Sequence, residues 1–167
     1  MPYKRGIWDR LKRASRYYYL KVMRTKATSH AVAMGIACGA FGSCFPALPP
    51  IPLQTCIALG LALMLRAAKV PAVLATWLSN PFNWVFFYIA EYKIGSFFIP
   101  LDKPFTPHNW TLADYLEFGW QGLAVMLLGS LVLAVPFSAI AYFVTLPLIR
   151  GYRRRRALRI LKRRGYP

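Results

Sequence analysis

The chain has 167 residues, 57% of them hydrophobic, and 22 Lys and Arg against five Asp and Glu give it a net charge of +17. The length fits a single domain, and the apolar share exceeds that of an average soluble domain. Three runs, 27–65, 70–90 and 118–149, contain no Asp, Glu, Lys or Arg; since about 20 helical residues cross a hydrocarbon core of roughly 30 Å, they exclude an ordinary soluble domain and predict an all-α membrane protein.

Nine basic residues precede Ala27 and nine lie in 150–164, so the charge flanks the apolar interior. Basic clusters beside membrane segments mark the cytoplasmic side and attract anionic headgroups. Both termini are therefore placed in the cytoplasm and membrane lipids are expected partners. The tails would hold phosphate nonspecifically, but no nucleic-acid reading module is recognisable.

Residues 7–23 are the first predicted element. Trp8, Leu11, Ser15, Tyr18, Tyr19 and Val22 recur every three or four positions, with Lys12, Arg13, Arg16 and Lys21 largely elsewhere, the pattern of an amphipathic helix lying in a membrane interface. The alternative is a basic tail that orders only against a partner. The basic stretch extends to Lys26, too long for the start of a secretory signal. Three regions follow: a basic amphipathic segment at 1–28, an integral membrane domain at 29–149 and a basic cytoplasmic tail at 150–167.

Residues 29–45 read as a helix rich in small side chains. Ala31, Gly35, Gly39 and Ser43 are four apart and form one stripe, a device for close helix packing in lipid; the sequence leaves open whether the neighbour is the same chain. Pro46, Pro49, Pro50 and Pro52 then remove donors and push the residues before them toward extended geometry. The apolar run resumes at 53–65 and ends at Arg66 and Lys69. The two pieces are about 25 Å and 20 Å long as helix, short for spanning. They form either a re-entrant hairpin with both ends inside or a pair of short tilted spans, and the hairpin is preferred.

The next run, 71–90, is broken by Pro81, with Ser79, Asn80 and Asn83 clustered at the break. Residues 91–117 hold four of the five acidic residues and several prolines, an outside loop in which Thr111 to Asp114 resembles a helix start. Glu91 is placed at the outer boundary near Lys93, the alternative being an intramembrane acid on a proton or ion path. Residues 118–149 are the clearest span, with a tilt or kink expected from their length and Pro136. Beyond Arg150, Leu158 and Leu161 indicate an amphipathic cytoplasmic helix. The expected fold is a proline-broken hairpin plus two spanning helices, with amphipathic cytoplasmic helices at both ends.

The residues offer little for catalysis. His30 and His108 lie at opposite ends of the membrane region, and Cys38, Cys44 and Cys56 match no metal or haem spacing; buried free cysteine is ordinarily an apolar filler. Neither enzyme activity, cofactor nor metal is predicted.

The stretches "PPIPLQT" and "LALMLRAAKVPAVLATWLSNPFNW" resemble a bacterial membrane family, domain-of-unknown-function family 2062. The shared positions are Pro49, Pro50, Pro52, Gln54, Arg66, Trp77, Ser79, Asn80 and Pro81, within a resemblance covering about residues 15–149. The resemblance implies a small apolar chain of the bacterial inner membrane, and fusion of some relatives to glycosyltransferase-like domains points to the cell envelope. It implies no activity, substrate or catalytic residue.

Two functional readings remain. In the first, the chain is transport-type and oligomeric: the broken segments expose helix ends to an anionic or lipid-linked substrate, with Gln54, Thr55, Ser79, Asn80 and Asn83 giving neutral hydrogen bonds and Arg66 a phosphate contact. In the second, it is an accessory or scaffold subunit that binds a membrane-protein partner through the small-residue stripe.

Overall fold

A computed structural model of the chain describes residues 7–46, 52–78, 83–100 and 119–163. The described residues form helices and their connections, with no strand among them: α1 (Ile7–Met23), α2 (Ser29–Ser43), α3 (Leu53–Met64), α4 (Lys69–Ala75) with a 3-10 turn at Thr76–Leu78, α5 (Trp84–Phe98) and α6 (Gly119–Arg163).

Helix α2 is the centre of the fold. Thr28 starts it, extended at φ −61° and ψ 156°, with its hydroxyl accepting from the Ala31 amide at 3.1 Å, which satisfies one orphan donor of the first turn. The small residues let other backbones come close. A Cβ on Gly35 would strike the Ala68 carbonyl, one on Gly39 the Ala72 carbonyl, and one on Gly42 would lie 2.5 Å from the Gln54 carbonyl oxygen. Gly35 and Gly39 thus face α4 of the same chain, and Gly42 faces α3.

Helices α2 and α3 run antiparallel. Gly42 lies against Ala58, and Cys38 clusters with Ala62, Ala67 and Ala72. The open end is tied by backbone bonds: Ala68 N–H donates to Ala31 O at 2.9 Å and Ala67 N–H to Ala62 O at 2.8 Å. Arg66, at φ 51°, makes the left-handed step that turns the chain from α3 back toward α4. The opposite end is the proline break, of which Pro46 and Pro52 are described; Pro49 and Pro50 lie outside the described residues.

Helices α5 and α6 form a second antiparallel pair. Gly95 meets the Val125 carbonyl, Gly129 meets the Glu91 carbonyl, and the Phe87 and Phe137 rings stack edge to face at 5.7 Å. Helix α6 also packs along α2, where Val32, Ala33, Ala68 and Ile149 form a core cluster.

The run at 71–90 is interrupted around Pro81 as the sequence predicts, the 3-10 turn ending at Leu78 and α5 beginning at Trp84, whereas the expectations of a second spanning helix and of a separate tail helix change. Among the described residues one helix, α6 from Gly122, is long and apolar enough to cross a membrane; α5 has 15 residues. The basic tail, in turn, is not a separate helix. Helix α6 runs for 45 residues from Gly119 to Arg163 through Pro136 and Pro147, about 67 Å at roughly 1.5 Å per residue. Its Arg, Leu and Ala residues are strong helix formers, and the lone Gly151 costs only about 1 kcal/mol.

Helix α1 occupies the predicted 7–23 range and lies beside the basic part of α6. Tyr19 meets Tyr152 edge to face at 6.0 Å, Tyr18 approaches Trp77 at 6.1 Å, and Val22 and Met23 pack on the Val32–Ile149 cluster.

Candidate functional site

The two proline breaks are closed by the same chemistry. A helix that stops leaves carbonyls without amide donors, and a carboxamide NH2 can supply the missing proton. Gln54, in the first turn of α3, donates from Nε2 to Phe45 O at 2.7 Å. Asn83, just before α5, donates from Nδ2 to Leu78 O at 2.8 Å. Each amide bridges the ends of the break beside it.

The 3-10 turn that leads into the second break touches both α2 and α3, and Thr76 is buried there. Thr55 is half-buried and Pro46 is buried near the first break. Ser79, Asn80 and Pro81 lie outside the described residues. Arg66 is exposed at the tied end of the hairpin, about 18 Å along α3 from Gln54 at roughly 1.5 Å per residue, so Gln54 and Arg66 are not brought together. Of the small-residue stripe, Gly35 and Gly39 are taken up by α4, and the buried Ser43 donates to Ala40 O at 2.8 Å.

Glu91, expected at an outer boundary beside Lys93, has a completely buried side chain while Lys93 is exposed. The cause is helical register: Phe87, Glu91 and Gly95 share one face of α5, and that face is pressed onto α6 by Gly95 and Gly129. Among the described residues, neither carboxyl oxygen of Glu91 has a hydrogen-bond partner. Ser130 lies beside the carboxyl, but its hydroxyl proton is committed to Met126 O at 2.8 Å. Cys44, buried at the end of α2, points its thiol at Ala40 O, 3.4 Å away. The four-residue spacing Phe87, Glu91, Gly95 was the sequence signal, and it required α5 to extend through the charged residues after Ala90.

Among the described residues no group of three His, Cys, Asp or Glu is placed to hold a metal, and Cys38, Cys44 and Cys56 are free thiols. His30 meets the Tyr142 hydroxyl through Nδ1 at 2.7 Å, pinning the start of α2 to α6; His108 lies outside the described residues.

A family model described as "Uncharacterized protein conserved in bacteria (DUF2062)" matches residues 12–158. The chain belongs to the DUF2062 family. The matched span contains both proline breaks, the α2–α3 pair, Glu91 and Ser130, so this site belongs to the part of the chain that the DUF2062 model covers. No curated protein and no solved structure matches the chain.

Proposed function

We propose that this DUF2062 protein is a multi-pass protein of the bacterial inner membrane, with both termini in the cytoplasm, that moves an anionic or lipid-linked envelope substrate rather than converting it chemically. The observation that carries the reading is the Glu91 carboxyl, buried between α5 and α6 without a hydrogen-bond partner among the described residues. A lone carboxylate in an apolar interior costs several kcal/mol or more, and intramembrane acids of this kind serve proton and ion paths. Glu91 releases its proton toward one side and takes one from the other, and this exchange is coupled to substrate at the breaks beside Gln54, Thr55 and Asn83, with Ser79 and Asn80 in the second break.

The outer surface supports a lipid setting. Phe86, Phe97, Leu131, Val135, Ile140, Phe143 and Leu148 are all exposed, and only 28% of the most apolar window of α6 is buried inside the chain, unlike a soluble core helix. The short helices favour a re-entrant hairpin at 29–65, and one chain supplies too few spans for a complete carrier, so copies assemble. The scaffold reading loses its docking stripe, since Gly35 and Gly39 already face α4.

The test is reconstitution of the full chain in vesicles with an imposed proton gradient, following a fluorescent polyprenyl phosphate across the bilayer. Wild type moves the label with the gradient, and Glu91→Gln at equal insertion and oligomer size does not. Label movement that is the same in Glu91→Gln, or absent in wild type, overturns the reading.

A further inference from the structure

The basic end of α6 is an exposed charged face that also forms one wall of a cleft. Tyr152, Arg156, Arg159 and Arg163 follow at four, three and four residues, so they share one side of the helix. With Ile160 and with Arg24 from the end of α1 they line a cleft of about 320 Å³, large enough for a small ligand group.

The walls are held in place. Arg153, one residue past Tyr152, donates from its guanidinium to Ala27 O at 2.6 Å and Thr25 O at 3.1 Å. These bonds fasten the α1–α2 connection to α6 and keep Arg24 at the cleft. The Tyr19–Tyr152 pair fastens α1 from its other side. Arg153 therefore spends its charge on structure, while Arg24, Arg156, Arg159 and Arg163 have no acidic partner among the described residues. The described acidic residues are Asp9, in the first turn of α1, and the enclosed Glu91. Four guanidinium groups around one cleft repel one another, and the fork geometry of arginine matches phosphoryl oxygens.

A second recess adjoins across the tyrosine pair. Tyr18, Tyr19, Val22, Ile36, Leu74 and Trp77 are among the side chains lining an apolar groove of about 360 Å³ between α1 and α4. Tyr19 lines this groove and Tyr152 lines the cleft, so a cationic and an apolar compartment meet at one aromatic contact.

We infer that the Arg24–Arg156–Arg159–Arg163 cleft is a binding site for a phosphoryl group. The groove beside it suits the hydrocarbon of an amphiphilic phosphate ester. The site is independent of the Glu91 reading, and Glu91→Gln leaves it intact.

The experiment uses the full chain in discs of neutral lipid. One arm titrates inorganic pyrophosphate by calorimetry, and the other counts phosphatidylglycerol molecules retained per chain by native mass spectrometry. The variant R156Q/R159Q/R163Q is compared with R10Q/K12Q/R16Q, which removes the same charge from exposed positions of α1. Loss of about tenfold or more in affinity for the cleft variant alone supports the site. If that loss occurs with pyrophosphate, a soluble phosphate reaches it; if it occurs only with phosphatidylglycerol, the ligand is a lipid headgroup. Equal loss in both variants, or binding of neither probe by wild type, overturns the proposal in favour of diffuse surface charge.

Discussion

Two interfaces in this chain are built by the same device and close over different contents. Between α2 and its neighbours α3 and α4, Gly35, Gly39 and Gly42 bring backbones together over alanines, and the enclosed side chains, Ala33, Ala37, Ala58, Ala62 and Ala72, need no polar partner. Between α5 and α6, Gly95 and Gly129 allow an equally close approach, yet what is enclosed is a carboxyl with no hydrogen-bond partner. Close packing explains the first interface completely. In the second it explains the geometry but not the choice of residue, and the proposed role of Glu91 rests on that surplus.

The comparison can be broken at the glycines themselves. Gly129→Leu must push a side chain into the Glu91 carbonyl and Gly39→Leu one into the Ala72 carbonyl; each is expected to lose about 3 kcal/mol or more, read as a collapse of the folded fraction in detergent. Gly60, with nothing within 4 Å of its Cβ direction, is the control: Gly60→Ala gains up to about 1 kcal/mol from helix propensity. Similar losses at Gly39 and Gly129 with a gain at Gly60 sustain the view of two close-packed interfaces; a tolerant Gly129 would break it.

Smaller effects follow where the packed units are tied together. Arg153→Gln removes the charged donor from Thr25 O and Ala27 O and is expected to cost about 1.5–3 kcal/mol, with protease sensitivity rising at 24–28. Gln54→Ala leaves Phe45 O without its side-chain donor and costs about 1 kcal/mol, seen as faster amide exchange at the start of α3. Tyr142→Phe unpins His30, which is exposed, and its effect is about 0.5 kcal/mol in thermal unfolding.

The helices were legible because their signals are local. The amphipathic spacing from Trp8 to Val22 and the prolines after Phe45 are enough to place α1 and the ends of α2 and α3. Three features were not legible in this way. The continuity of α6 through Ile149 was hidden by the change from apolar to basic composition, since composition reports the solvent while propensity governs the helix. The burial of Glu91 is not announced by the charges nearest to it in sequence; it follows from the face shared with Phe87 and Gly95, which turns it onto α6. The roles of Gln54 and Asn83 as bridges depend on carbonyls at Phe45 and Leu78, five to nine residues away, and no spacing rule announces such bonds.

The central claim is that the α5–α6 interface tolerates Glu91 for function and not for stability. Its most direct test is the unfolding free energy of Glu91→Met, measured in the same lipid or detergent as wild type. Methionine has nearly the shape of the glutamate side chain without its unsatisfied oxygens, so stability is expected to rise by about 1–3 kcal/mol while gradient-driven movement of the polyprenyl phosphate is lost. A Glu91→Met protein that is less stable than wild type would contradict the account and make the carboxyl a structural member of the interface.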